Sequence, residues 1–142
     1  MITFQFTSNL NALAFQAAIT PEKLTHVCAV PLSESGLRIP KQVPLQCYDN
    51  ALRVLMVNPH ATDLRLCLGL QQSISEPMKI VEHCWIEFNG KWFDSSSELL
   101  DSRYMKYCSL TLHEVTTICR KYHWDYLPNI ITIENALRSV GA

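Results

Sequence analysis

The clearest hydrophobic pattern lies in residues 83–94, where an alternating segment, an Asn-Gly pair at 89–90 and a second short segment follow one another. Successive side chains of a strand point to opposite faces, so His83 shares a face with Trp85. An Asn-Gly pair supplies the positive backbone angles of a two-residue turn. The pattern therefore predicts a β-hairpin whose second strand ends at Asp94.

Patterns elsewhere predict further strands and helices in an α+β order. Strands are predicted over residues 2–7, 26–32, 63–73 and 104–110, the last at an edge of the sheet. Helices are predicted over residues 9–18, 47–57, 111–122 and 133–140, and residues 33–44 are typical of a loop. The third helix begins with a Thr111-x-x-Glu114 capping box. The length of 142 residues favours one domain, residues 1–142, that needs no disulfide or metal to stabilise its core.

The register of the hairpin determines which side chains meet across it. A two-residue turn places Trp85 opposite Asp94 and His83 opposite Ser96, so Asp94 is the diagonal neighbour of His83. Diagonal neighbours lie roughly 7–8 Å apart at the backbone, close enough for a carboxylate to reach an imidazole nitrogen. The alternative is a half-buried hairpin whose histidine faces solvent and whose aspartate only ends a strand.

Cys47 begins the predicted helix over residues 47–57, in which apolar side chains recur at helical spacing. Pro44 just upstream suits a first helical turn. A cysteine at this place lies among unpaired amides at the positive end of the helix dipole, which stabilise a thiolate and can donate to an oxyanion. The alternative for Cys47 is simple packing, because free cysteine is among the most buried residue types.

The other five cysteines lie in apolar surroundings or in later helices, and all five are predicted to fill the core or a packed face. They are Cys28, Cys67, Cys84, Cys108 and Cys119. The sequence has no CxxC pair and no zinc-ligand spacing, so no metal is expected. Six cysteines without a recognisable export signal favour a reducing compartment, the cytoplasm.

The order Cys47, His83, Asp94 supplies the three side chains that thiol nucleophilic catalysis needs. The thiolate is the effective nucleophile, so a base or imidazolium must lie beside the sulfur, and His83 would fill that role. A carboxylate on the other ring nitrogen fixes the tautomer and orientation of the imidazole, and Asp94 would fill that role. The pattern indicates a cysteine-dependent acyl-transfer enzyme.

These residues resemble the core of the transglutaminase-like superfamily of papain-fold thiol enzymes, in a small bacterial or phage-type form. The resemblance covers about residues 42–96, and 36 residues separate the cysteine from the histidine (83 minus 47), room for one helix and one strand. The matching positions are Cys47, Asn50, Ala51, Gly69, His83, Trp85, Glu87, Gly90, Trp92 and Asp94. The chain differs from the family pattern at Cys84, where alanine is frequent, and after Asp94, where Ser95-Ser96 replaces an x-Thr pair.

The resemblance implies a papain/transglutaminase-like core in which the nucleophile helix packs on a small antiparallel β-sheet. It implies acyl transfer at a peptide or glutamine amide carbonyl, of peptidase, deamidase or transglutaminase type, with a protein or peptide as substrate and no cofactor. An oxyanion-donor role would go to a glutamine upstream of the cysteine, either Gln42 or Gln46, with Gln42 favoured. The alternative function is a catalytically silent binding or assembly module of the same fold.

Charge and hydropathy exclude other classes of protein. Lysine and arginine number 12 against 13 acidic residues, and the pI is about 6.5. Such a chain has no excess positive charge for nucleic acid or an anionic membrane. No apolar stretch approaches the roughly 20 residues of a membrane span.

The remaining conspicuous side chains receive less weight. Trp85 either walls the active-site cleft and shields the ion pair from water, or simply fills the core, whereas Glu87 is expected at the surface. The other histidines are predicted to be structural or solvent-facing: His26, His60, His113 and His123.

Overall fold

The computed structural model describes residues 24–43, 46–76, 80–95, 102–125, 127 and 130–141. The predicted strand over residues 2–7 and helix over residues 9–18 lie outside these ranges. Six strands and three α-helices follow one another: β1 (Thr25–Val27), β2 (Ala29–Pro31), α1 (Cys47–Val57), β3 (Leu64–Ser73), β4 (Ile80–Phe88), β5 (Lys91–Asp94), β6 (Ser102–Leu110), α2 (Leu112–Tyr122) and α3 (Ile130–Gly141). A short 3-10 helix, Leu32–Glu34, follows β2. The described chain is therefore a mixed α+β structure.

The six strands form one sheet in the order β1-β6-β3-β4-β5-β2. The pairing of β2 with β5 is parallel and the other pairings are antiparallel, so the sheet is antiparallel, as expected, except at the β2 edge. Only Cys28 separates β1 from β2, yet these strands lie at opposite edges. Because one residue cannot cross a flat six-stranded sheet, the sheet curls until its edges approach each other.

This curl corrects two predictions. The strand expected over residues 26–32 is two short strands broken at Cys28, because each half pairs with a different edge. The strand expected at an edge, β6, instead lies between β1 and β3. Both features depend on which strands pair, and the hydrophobic pattern within one strand does not determine its partner strands.

The two faces of the sheet bury different clusters. The larger cluster contains apolar side chains of β3, β4 and β6 packed against all three helices, including Val54 of α1, Ile118 of α2 and Ile133 of α3. The smaller cluster, on the other face, consists of Val27, Cys67, Trp85 and Tyr104. Polar residues of the candidate site adjoin this smaller cluster.

The predicted hairpin is confirmed in turn and register. Asn89 and Gly90 both have positive φ, 52° and 73°, as a two-residue turn of this kind requires. The β4–β5 ladder pairs Ile86 with Phe93 and Phe88 with Lys91. This is the expected register, which places Asp94 diagonal to His83, whereas Ser96 lies outside the described residues.

Gly69 lets β3, β4 and β6 approach closely beside the site. It pairs with His83 of β4, and the β3–β6 register shifts between Leu68 and Gly69. A Cβ at this position would lie 2.0 Å from the Met105 carbonyl oxygen and 2.8 Å from Cη2 of Trp85. Only glycine therefore fits at this bulge.

The helix predictions are largely confirmed. α1 begins at Cys47, and α2 has the complete Thr111–Glu114 capping box. α3 begins at Ile130 rather than at residue 133. Within the described ranges, no helix is long and apolar enough to cross a membrane.

Candidate active site

Cys47 is the first residue of α1, at a helix start that side chains hold in place. The first bond into the helix runs from the Asn50 amide to the Gln46 carbonyl, at 2.9 Å, so the amides of residues 47–49 have no acceptor within the helix. The Asn50 side chain accepts from the Val43 amide at 2.9 Å and donates to the Val43 carbonyl at 2.8 Å. This pair of bonds ties Asn50 of α1 to Val43.

His83 and Asp94 meet in a buried hydrogen bond. The His83 Nε2 to Asp94 Oδ2 distance is 2.6 Å, and the two residues are only 6% and 9% exposed. The histidine does not face solvent, so the alternative of an exposed histidine on a half-buried hairpin is wrong.

Asp94 also accepts two other hydrogen bonds. The Ser95 amide donates to Oδ1 at 2.9 Å, and the Tyr104 hydroxyl donates to Oδ2 at 2.8 Å. Tyr104 was not among the sequence-predicted site residues. Its strand was predicted from the sequence, but nothing in the residue pattern reveals that its hydroxyl lies against the end of β5.

Cys47 is the second group that acts on the His83 imidazole. Burial by itself lowers the pKa of His83, but hydrogen bonds and charge interactions with Asp94 and Cys47 outweigh it and raise the pKa from 6.5 to about 10. Because Asp94 occupies Nε2, the ring nitrogen left for the Cys47 sulfur is Nδ1. The structure thus brings together the three residues that the sequence singled out.

Aromatic rings enclose the histidine. Trp85 is 1% exposed and stacks on His83 with ring centroids 5.9 Å apart and planes at 26°. The Tyr104 and Trp85 rings pack edge to face, with their centroids 5.1 Å apart. Trp85 therefore belongs to the smaller cluster and shields the His83–Asp94 pair from water, but its burial prevents it from lining an open cleft in this structure. The Trp85 indole nitrogen has no hydrogen-bond partner within the described part of the chain.

The oxyanion roles expected of the two glutamines stay predictions. The Gln42 side-chain amide donates to the Pro40 carbonyl at 2.9 Å. Gln46 precedes the helix with an exposed side chain that makes no capping bond. The backbone amides of the first turn of α1 are the donors that the geometry offers instead.

Glu87 lies on the His83 face but is not the exposed surface residue that the sequence predicted. It accepts from Lys106 Nζ at 2.6 Å and from the Trp92 indole at 2.8 Å. Partial burial raises the pKa of Glu87, but the bonds from Lys106 and Trp92 outweigh it and lower the pKa. This ion pair lies on the same face of the sheet as His83, near the end of β4.

Tyr48 follows the cysteine directly and ties α1 to β4. Its hydroxyl donates to Glu82 Oε2 at 3.1 Å. Burial, together with the nearby Glu82 carboxylate and the thiols of Cys84 and Cys47, raises the pKa of Tyr48 far above its ordinary value. Tyr48 therefore stays a neutral donor that fixes the helix start beside His83.

The other cysteines and histidines are not members of the proposed triad. Cys67 and Cys84 are buried and Cys108 and Cys119 partly buried, but Cys28 is exposed, so the packing prediction is wrong for Cys28. Burial raises the pKa of both Cys67 and Cys84. The remaining histidines are exposed as predicted: His26, His60, His113 and His123. In the described ranges no three His, Cys, Asp or Glu side chains gather in a group that could hold a metal.

Comparison with protein-family models, with curated proteins and with solved structures found no match for the chain.

Proposed function

We propose that the protein is a thiol-dependent acyl-transfer enzyme in which Cys47 is the nucleophile, His83 the proton carrier and Asp94 the residue that orients the histidine. The observation that supports this most strongly is the buried 2.6 Å bond between His83 and Asp94, with Cys47 as the other neighbour of the same imidazole. A carboxylate–imidazole–thiol series is the arrangement that activates a cysteine.

The first half of the reaction forms a thioester. The Cys47 thiolate attacks the amide carbonyl carbon, and the electron pair of the C=O bond moves to oxygen. Backbone amides at the start of α1 donate to that oxyanion. When the tetrahedral intermediate collapses, the C–N bond breaks and the His83 imidazolium gives its proton to the departing nitrogen.

The second half releases the acyl group. Water or a primary amine attacks the thioester carbonyl while His83 accepts a proton, and the sulfur leaves as the thiolate. Attack by water gives peptide hydrolysis or glutamine deamidation, and attack by an amine gives a crosslink. The substrate class is a peptide or glutamine amide, with no cofactor or metal required.

The proposal places the protein in the transglutaminase-like, papain-fold group. It is supported by the order helix-borne cysteine, strand-borne histidine, strand-borne aspartate, and by the packing of α1 against β4. A reducing compartment such as the cytoplasm suits the protein, because all six cysteines are free thiols.

The test is a screen of blocked glutaminyl and other peptides for released ammonia, new amino termini or incorporated amine. Cys47→Ser should abolish whatever activity the wild type shows, yet change the Tm by only a few degrees, because the substitution is nearly isosteric at a partly buried position. Cys28→Ser is the matched control and should keep full activity. Full turnover by Cys47→Ser would refute Cys47 as the nucleophile. Absence of activity in the wild type would favour the silent binding-module alternative, as would loss of folding in Cys47→Ser while Asp94→Asn changed nothing.

A further inference from the structure

Tyr104 contacts the proposed triad from a strand that carries none of its members. Its hydroxyl donates to Asp94 Oδ2 at 2.8 Å, and His83 Nε2 lies 2.6 Å from the same oxygen. The other carboxylate oxygen, Oδ1, takes the Ser95 amide. Tyr104 and His83 therefore share one acceptor atom, while Tyr104 itself is held in the smaller cluster at 3% exposure.

We propose that Tyr104 is a positioning residue that acts through Asp94: by donating to the oxygen that His83 also uses, it limits how tightly Asp94 binds the imidazolium. This inference rests on the proposed function, in which His83 must release its proton to a leaving group in each turnover. Two donors that bind the same anionic oxygen share its negative charge, so each hydrogen bond weakens the other.

Burial makes this sharing effective. In the low-dielectric surroundings of Trp85 and Tyr104, a carboxylate with a single partner would bind the imidazolium proton strongly. The pKa of His83 is already raised to about 10. A further rise would slow proton donation, because transfer is most efficient when the donor's affinity for the proton is near that of the reacting group.

Other charged and titratable groups near the pair have partners of their own or are kept neutral. The groups are Tyr48 of α1, Cys67 of β3, Glu82, Cys84 and Glu87 of β4, and Lys106 of β6. Lys106 pairs with Glu87, and Glu82 accepts from Tyr48. Burial keeps the thiols of Cys67 and Cys84 protonated at neutral pH, since it raises the pKa of each. The charges acting directly on His83 are therefore those of Asp94 and Cys47.

The experiment is Tyr104→Phe, which removes the hydroxyl and keeps the ring. The first readout is the NMR resonance of the His83 ring proton shared with Asp94, assigned by its loss in His83→Gln. It should move to lower field as that bond tightens, and the pKa of His83 should rise above its wild-type value. Tyr107→Phe, on the same strand but packed against the larger cluster, is the control and should leave both unchanged.

The second readout is kinetic. Tyr104→Phe should lower kcat about three- to tenfold, the effect of one hydrogen bond, with KM unchanged and the alkaline limb of the pH–rate profile moved upward. Replacing the tyrosines biosynthetically with a ring-fluorinated analogue, a stronger donor, should lower the pKa of His83, and the same labelling of Tyr104→Phe should not.

The NMR result decides the Tyr104 proposal independently of any enzyme assay. A pKa of His83 that falls toward 6.5 in Tyr104→Phe would mean that Tyr104 only supports the fold, and an unchanged pKa would mean that Tyr104 has no effect on His83. Either result would overturn the inference. Absence of any acyl-transfer activity in the wild type would instead refute the proposed function, while the resonance shift would still report on the shared oxygen.

Discussion

Asp94 is the residue on which the candidate site converges, because it accepts hydrogen bonds from His83, Tyr104 and the Ser95 amide. Three donors hold the carboxylate in one orientation, and a fixed carboxylate in turn fixes the imidazole. The sequence predicted the pairing with His83 because hairpin register follows from the turn. Tyr104 could not be predicted, since it approaches from a strand whose place in the sheet depends on long-range packing.

Asp94→Asn should weaken the activity of the enzyme without removing it. The amide keeps the volume of the carboxylate but loses the charge that orients and stabilises the imidazolium, while the thiol and the amides of α1 remain. We expect a large fall in kcat with a measurable residual rate. The control is Asp63→Asn, which removes an exposed carboxylate in the turn before β3 and should leave kcat unchanged. An unchanged kcat in Asp94→Asn would show that this carboxylate does not serve the chemistry.

At the scale of the element, the close approach of β3, β4 and β6 at Gly69 supports the buried pair. Gly69→Ala should lower the free energy of unfolding by about 2–4 kcal/mol, because the added Cβ overlaps the Met105 carbonyl oxygen and Trp85. Gly90→Ala, in the exposed turn, adds a Cβ that meets no atom within 4 Å. Gly90→Ala should therefore lower the free energy of unfolding by only about 1–2 kcal/mol, the cost of a positive φ in a residue that carries a Cβ. Urea denaturation of both variants checks this, and a smaller loss for Gly69→Ala than for Gly90→Ala would contradict the packing account.

Local signals in the sequence were sufficient for elements but not for their arrangement. The hairpin turn, the start of α1 and the Thr111–Glu114 capping box are confirmed, because each depends on a few neighbouring residues. The break at Cys28 and the interior place of β6, next to the edge strand β1, were missed, because both follow from the closing of the sheet. The oxyanion role of Gln42 stays a prediction, and its amide donates to Pro40 in this structure.

For the whole molecule, the buried imidazole links stability to pH. The pKa of His83 in the folded protein, about 10, lies above its ordinary value of 6.5, so the folded state binds one more proton than the unfolded state between these values. This stabilisation is complete below pH 6.5 and is lost as the pH rises through about 10. Relative to His83→Gln, the wild type should lose roughly 1 kcal/mol of stability per pH unit in that window.

Denaturation midpoints of wild type and His83→Gln across this pH range provide the measurement. His113→Gln, at an exposed histidine of α2, should track the wild type throughout. A stability difference between wild type and His83→Gln that did not change with pH would show that the pair contributes packing rather than charge.

The most direct measurement of the central claim is the alkylation rate of each cysteine with iodoacetamide at mildly acidic pH, read by peptide mass spectrometry. Cys28 is exposed whereas Cys47 is partly buried, so solvent access alone would label Cys28 first. An imidazolium partner and a helix N-terminus favour the thiolate of Cys47, so we predict that Cys47 reacts fastest and that His83→Ala slows Cys47 alone. Labelling of Cys47 no faster than Cys28 or Cys84, unaffected by His83→Ala, would contradict an activated nucleophile at this site.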